Sequence, residues 1–556
     1  MADEGPAGFA SAGGAVGATT QARTSKTSKT AKDAKTAKTA KDAKAIKAEK
    51  EAERAKRDAE KEAERAKRQA EKAGAKAAGA AGGNAAGAVK EAAKAAGGSA
   101  QDGARGVRMV PAASVVSAPA GAGASAVDAE PLEDGKPDGK GMPGGKGKPG
   151  GKGKLDSAGK RGADGDHRDG DHGGKGVSVP CDPNALIAAI TTANSAGGGT
   201  LDLARKCTYT LTANQDGNGL PVIVQPITIK GNGSTIARAA NADQFRFFEI
   251  DSGGILRLKH LTLTRGKTAE DDDGGAVYVN VGGKLDLDHT TLDNNTVDDV
   301  GSDDGGAVFN DGGIVTIRSS TLKNNSASDG GAIFTGVGDV TITTSKLISN
   351  TSDLDGGAIF DDSGTTTVSK SRISHNHSRS VGGGIYSDEG VLKIDRSAVT
   401  HNTTEGDGGG VYKDTDSIYV FKSTIAGNVA AEAGGGLFLG DDGANITESK
   451  ILNNTAADGD GGGVFYIGGD TAAFRRTVIN GNQALGTGST GGGIHIQSAT
   501  GVVALTDVKI TNNTATDPAG GVENNGTVTS TGKVIIVDNV PTNCANGGNP
   551  VPGCFG

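Results

Sequence analysis

Residues 355–376 read DGGAIFDDSGTTTVSKSRISHN. The stretch opens on Asp and paired Gly, passes an aliphatic and an aromatic residue (Ile359, Phe360), and closes on Ser, an aliphatic residue and Asn376. The same order returns through the second part of the chain. The aliphatic residue that ends each Gly-rich motif falls at Val277, Val308, Ile333, Ile359, Ile385, Val411, Leu437, Val464, Ile494 and Val522, in steps of 31, 25, 26, 26, 26, 26, 27, 30 and 28 residues. A second row keeps phase with it: Asn295, Asn325, Asn350, Asn376, Asn402, Asn428, Asn454, Asn482, Asn513 and Asn539. Two rows sharing one period define a structural repeat.

Between the Gly clusters the segments are short and alternate, as in Val315-x-Ile317, Val340-x-Ile342 and Leu392-x-Ile394. Alternation over such lengths predicts strands, with no room for a helix in the period. A unit of two or three short strands cannot bury its apolar row alone, but stacking it on its copies gives each strand a parallel neighbour. The fold predicted is an all-β solenoid, a parallel β-helix of about 12–13 coils. One Asn per coil then has two readings. Either the amides stack one strand spacing apart, about 4.8 Å, and hydrogen-bond along a buried ladder, or they are solvent-facing turn residues chosen for left-handed backbone.

Composition divides the chain. Eleven of twelve Phe and all six Tyr lie beyond residue 178, so only that part can build a core. Residues 1–178 carry 33 Lys+Arg against 24 Asp+Glu, a net of +9, and residues 179–556 carry 25 against 42, a net of −17. The basic part reads as three segments: a disordered arm at 1–50 with Lys at every third position from Lys26 to Lys50, a charged Ala-rich helix at 51–78 built on an 11-residue repeat, and a Gly/Ala/Lys-rich linker at 79–178. The arm suits anionic polymers through counterion release, or serves as a charged spacer. It has no interleaved aromatic residues, which argues against sequence-specific nucleic-acid recognition. No apolar run reaches the length of about 20 residues needed to cross a bilayer, so membrane insertion is not expected, and the first residues lack the pattern of an export signal.

The acidic part, 179–556, opens with CDPNALIAAITTANSAGGG (181–199), an amphipathic helix expected to plug the open end of the solenoid through Leu186, Ile187, Ile190 and Ala193. Four cysteines bracket this part as two close pairs, Cys181 with Cys207 and Cys544 with Cys554. They read as disulfides fastening the two ends, which implies an oxidising, extracellular or cell-surface setting; the alternative is four free thiols in a reducing one.

The paired GGAI-type and aliphatic-x-x-Asn markers resemble the polymorphic outer membrane protein repeat, in which the second marker is FxxN, here with Leu, Ile or Val for the Phe. The whole of 181–556 resembles secreted bacterial right-handed β-helix proteins of the pectin-lyase-like architecture. That resemblance implies a right-handed coil and either of two functions: a non-catalytic surface or adhesion protein presenting a repetitive face to glycan or protein, or a Ca²⁺-assisted polysaccharide lyase or hydrolase. Enzymes of that architecture gather carboxylates on the outer face, yet the outward row between the aliphatic pairs reads Asp286, Thr316, Thr341, Thr367, Lys393, Tyr419 and Asn445, without a carboxylate cluster. No catalytic residue is assigned. Asp does recur before the Gly motif, at Asp273, Asp304, Asp329, Asp355, Asp407 and Asp460, as a turn former or as a Ca²⁺ ligand row. The densest acidic spot is 271–273 with 303–304. His375-Asn376-His377 falls on the Asn row and reads as a turn.

The residue after each aliphatic anchor is aromatic in eight successive units: Tyr278, Phe309, Phe334, Phe360, Tyr386, Tyr412, Phe438 and Phe465. Adjacent strand residues face opposite ways. These rings therefore form an exposed stripe suited to glycan or protein docking, or else an interior stack.

Overall fold

The computed structural model describes residues 176–555 apart from 270–271, 298–302, 441–442 and 545–547. The arm at 1–50, the helix at 51–78 and the linker up to residue 175 lie outside the described residues.

The coil that follows Gly356 and Gly357 shows how the sequence makes the fold. Ile359–Asp361, Thr365–Ser369, Arg372–Ser374 and His377–Ser378 are its four strands. Each pairs in parallel with its counterpart one repeat later, Ile359 with Ile385, Thr367 with Lys393, Ile373 with Val399 and His377 with Thr403. Repetition gives three sheets, here A, B and C, of 25, 11 and 8 strands. Sheet A carries two strands of each coil, here Thr365–Ser369 and Arg372–Ser374, as two arms meeting at a bend; sheet B carries Ile359–Asp361 and its equivalents; sheet C carries the two-residue strands. The whole is a right-handed parallel β-helix of about 14 turns. That is close to the 12–13 read from the repeat; the irregular pieces before Val277 pair into the same stack, for example Ile227 with Leu256 and Leu256 with Leu285.

The aliphatic row lines the interior. Ile333, Ile359, Ile385 and Val411 are wholly buried, as are Ile373 and Val399 on sheet A. Each such side chain contributes about 1.5–3 kcal/mol of apolar burial.

Two corners per coil carry left-handed backbone. In one coil they are Lys370 (φ 49°) and His375 (φ 58°), in the next Arg396 (φ 45°) and His401 (φ 56°). This corrects the turn-former reading of the Asn row: the left-handed residue is the one before each Asn, whose side chain projects outward, while the Asn turns inward. Asn376 donates its backbone N–H and its Nδ2 to Asn402 Oδ1 at 3.0 and 2.9 Å, and Nδ2 also to the Leu347 carbonyl at 3.2 Å. Asn402 repeats the pattern onto Asn428. A buried amide with every donor placed avoids the roughly 1–3 kcal/mol cost of an orphaned polar group. The other corner has a ladder of its own. Ser371 N–H donates to Ser397 Oγ, and Ser397 N–H to Ser423 Oγ, both at 3.0 Å.

Helix α1, Pro183–Ser195, closes one end, with Asp182 capping it through the Asn184 N–H at 2.9 Å. Leu186, Ile190 and Ala193 are buried against the first coils and Ile187 is half-buried. Cys181–Cys207 ties this end, with Cα atoms 5.7 Å apart, and Cys544–Cys554 ties the other at 6.4 Å. The Asn ladder stops at Asn539, whose N–H and Nδ2 both reach Asn543 Oδ1 at 3.1 Å, four residues on in the same chain. Among the described residues no helix is long and apolar enough to cross a membrane.

Candidate functional site

The aromatic row is on the outer side of sheet B and yet is not a stripe. Phe309 and Tyr386 are fully buried, and Phe334, Phe360, Phe438 and Phe465 nearly so. The cover comes from the chain itself. The Asp-Gly loop before each strand doubles back over it, and Gly382 (φ 68°) lies so close that a Cβ there would stand 2.7 Å from the Ile385 carbonyl and 2.8 Å from Tyr386 Cβ. Val381 packs on the same rings. The expected exposed docking stripe is thereby corrected, and the interior-stack alternative as well: the rings form a second core between sheet B and a layer of loops.

The eight rings stack with centroids 4.4–5.4 Å apart, and His495 makes a ninth. Arg246 and His495 stand at the two ends. Arg246, 1% exposed, lies over the Tyr278 face at 5.2 Å. His495 Nδ1 lies 2.9 Å from Thr490 Oγ1 and 3.8 Å from Asp460. Burial holds the His495 imidazole below its ordinary pKa, against the pull of Asp460.

The Asp row is likewise occupied. Asp304 N–H donates to Asp273 Oδ1 at 2.9 Å, Asp355 N–H to Asp329 Oδ1 at 2.8 Å, and Val381 N–H to Asp355 Oδ1 at 3.2 Å. Where the equivalent position of the next coil is not Asp, as at Val381, Ala433 and Thr490, the bond is still made, because the donor is a backbone N–H that any residue supplies; Ala433 and Thr490 donate to Asp407 and Asp460. At the densest acidic spot, Asp272 pairs with Arg246 at 2.8 Å and the Asp273 carbonyl accepts from Arg246 Nε at 3.1 Å. Asp304 Oδ1 accepts from Asp329 N–H at 3.3 Å, and Asp271 lies outside the described residues. An oxygen already receiving an N–H has less to offer a Ca²⁺ ion, which needs six to eight oxygen ligands. Among the described residues no three Asp, Glu, His or Cys side chains come together as a metal site would require.

His375 and His377 do not converge either. His375 is at a corner, stacked on His401 at 5.3 Å, and its pKa is lowered by burial, by His401 and by Arg372. His377 is on sheet C, with Nδ1 2.9 Å from Thr403 Oγ1.

Two features escaped the sequence reading. One is a polar row inside sheet B, at the third residue of each strand, where Asn310, Thr335, Asp361, Ser387 and Lys413 stand in register on consecutive coils. All are buried. Lys413 Nζ donates to Ser387 Oγ at 3.1 Å and to the carbonyls of Asp388 and Gly390, both at 2.9 Å. Burial pushes the Asp361 carboxyl up to about 7 and the Lys413 ammonium down to about 8. Its signal was present two places after each aliphatic anchor.

The other lies at the bend of sheet A. A shallow depression of about 430 Å³ runs across four coils and is lined by Lys346, Lys370, Arg372, Arg396 and Lys422 among Ser and Thr. No carboxylate lines it. These cations recur 26 residues apart, Lys370 to Arg396 to Lys422 and Lys346 to Arg372. Of the outward row, Asp286 pairs with Arg257 at 3.2 Å and Tyr419 is the exposed aromatic residue, 45% accessible.

Residues 275–449 match the family described as right handed beta helix region. Among solved structures, the A-module of the mannuronan C-5 epimerase AlgE4 of Azotobacter vinelandii is similar over 64% of this chain and 94% of its own length, at 11% identity and a TM-score of 0.26. No curated protein matches.

Proposed function

We propose that this chain is a non-catalytic secreted or cell-surface β-helical rod that presents one face, the bend of sheet A, to glycan. The carrying observation is the row of cations there, of which Lys346, Lys370 and Arg372 make no ion pair among the described residues while Arg396 and Lys422 make exposed ones, on a body whose net charge is −17. The disulfide at each end supports an oxidising location. The occupied Asp row speaks against the lyase or hydrolase reading, since its carboxylate oxygens already receive backbone N–H groups. The arm at 1–50 would add a less selective grip on anionic polymer.

The test is retention of the full chain on immobilised neutral and acidic polysaccharides, with reducing ends and unsaturated uronate measured in parallel, with and without EDTA. Retention on at least one glycan without product is expected. Product that EDTA abolishes would replace the rod by an enzyme, and no retention on any glycan would remove the proposal.

A further inference from the structure

We infer that His260 and His289 form a surface site for a divalent transition-metal ion of the kind imidazole prefers, Cu²⁺ or Zn²⁺, with Asp288 holding one of the two rings in place. The inference is independent of the glycan-binding reading above.

Four of the eight histidines stand as two stacked pairs on left-handed corners of the coils. His260 and His289, both at φ 51°, hold the same corner on adjoining coils, between the paired residues Lys259 with Asp288 and Thr262 with Thr291. Both are exposed. Their ring centres are 4.8 Å apart and their planes inclined by 28°. A chelate places two ring nitrogens about 2.0–2.1 Å from one ion. Rings already stacked and tilted need only converge at one edge, by a turn of either side chain about its Cβ–Cγ bond.

The nitrogens are in a state to serve. His289 Nδ1 lies 2.7 Å from Asp288 Oδ1. An ionised carboxylate only accepts, so in the neutral ring Nδ1 carries the hydrogen and Nε2 the lone pair. Metal-bound histidines are fixed in this way, by a carboxylate on the other ring nitrogen. His260 makes no hydrogen bond or ion pair among the described residues, so neither of its nitrogens is committed.

The remaining described histidines lack one or other of these features. His375 and His401 stack at 5.3 Å, but among the described residues no carboxylate pairs with either ring. His401 also lies against the next coil, where a Cβ on Gly427 would stand 3.1 Å from its Nε2. His377 has Nδ1 on Thr403, and His495 is buried.

The surroundings select the class of ion. Lys259 and Arg318 flank Asp288 in register, so the site offers nitrogen lone pairs and not net negative charge. Ca²⁺, bound through six to eight oxygens, is not suited. Imidazole suits Cu²⁺ and Zn²⁺, with Cu²⁺ the tighter. No third protein ligand joins the pair among the described residues, and water fills the other positions.

His167 and His172 lie outside the described residues, so the full chain carrying His167→Gln/His172→Gln serves as the parent. Titration calorimetry with the chlorides of Cu²⁺, Zn²⁺ and Ca²⁺ would compare this parent with His260→Gln, Asp288→Asn and His375→Gln added singly, circular dichroism confirming the fold of each. Cu²⁺ binding is expected to be at least about tenfold weaker in His260→Gln, about tenfold weaker in Asp288→Asn and unchanged in His375→Gln. Zn²⁺ should follow the same order, and Ca²⁺ heats should not differ among the samples. Electron paramagnetic resonance of the Cu²⁺ complex should show two coupled imidazole nitrogens in the parent and one in His260→Gln. Equal Cu²⁺ affinity in parent and His260→Gln overturns the inference, as does loss in His375→Gln instead, or no Cu²⁺ binding by the parent. Equal affinity in Asp288→Asn overturns the role given to that carboxylate.

Discussion

Asp361 occupies a place where its neighbours in the stack are Thr335 and Ser387, inside a wall that is aliphatic on either side. Its carboxyl, raised to about 7, favours the protonated form in the folded chain, so its contribution to stability is whole below pH 4 and is lost as pH rises through 7. Lys413, lowered to about 8, works the other way, its contribution present above the ordinary lysine range and lost as pH falls through 8. The pair should leave a shallow minimum of stability near neutrality. Asp361→Asn removes the acid-side limb. Urea midpoints at pH 4.5, 6 and 7.5 should fall with pH in the wild type and run flatter in the variant; parallel profiles would mean that Asp361 is ionised throughout.

The strand of sheet B is the element that carries most of the unexpected structure. Its three residues face two cores and one polar row: Ile385 points into the coil, Tyr386 onto the loop layer, and Ser387 back inside. Replacing Tyr386 and Tyr412 by Ser therefore tests packing, not docking. Large-to-small changes at buried rings cost about 3–5 kcal/mol each; Tyr412 is only partly buried and should cost less. Denaturant midpoints should drop sharply while glycan retention of the folded fraction stays as in the wild type. Loss of retention with unchanged stability would restore the docking stripe. Alternation along the strand told which residues leave the interior. It could not tell that a loop returns to cover them, because that depends on Gly382 at φ 68° and Gly408 at φ 70° turning the chain back, and paired glycines in a sequence carry no direction.

At the scale of the molecule, each coil touches only its neighbours, so stability is a sum of coil and interface terms. Rows at a fixed period made the stacking legible from sequence alone and offered the Asn ladder as one of two readings, while the end-cap helix was legible from its own amphipathic pattern between Asp182 and Gly197. The basic depression was not, since Lys346, Lys370, Arg372, Arg396 and Lys422 are separated along the chain and meet only once the coils are in register. The same one-dimensional logic governs the ends. Cys544→Ser should speed amide hydrogen exchange in Ile535–Val537 and Val522–Asn524 while leaving Ile385–Ser387 slow. Uniform acceleration along the rod would show that the ends and the middle unfold as one.

The last rung of the Asn ladder has a consequence of its own. A stack of in-register strands repeating every 4.8 Å has the geometry of a cross-β fibre, and such a stack elongates wherever its final layer offers unpaired backbone to another chain. Asn543 supplies, from within the same polypeptide, the oxygen that the next layer would have brought, and Cys544 beside it is bonded to Cys554, holding the tail there. Together with helix α1 at the opposite face, this makes the rod a fibre segment of fixed length. The residues that close the stack against further layers are therefore a few at each tip, and not the many coils between.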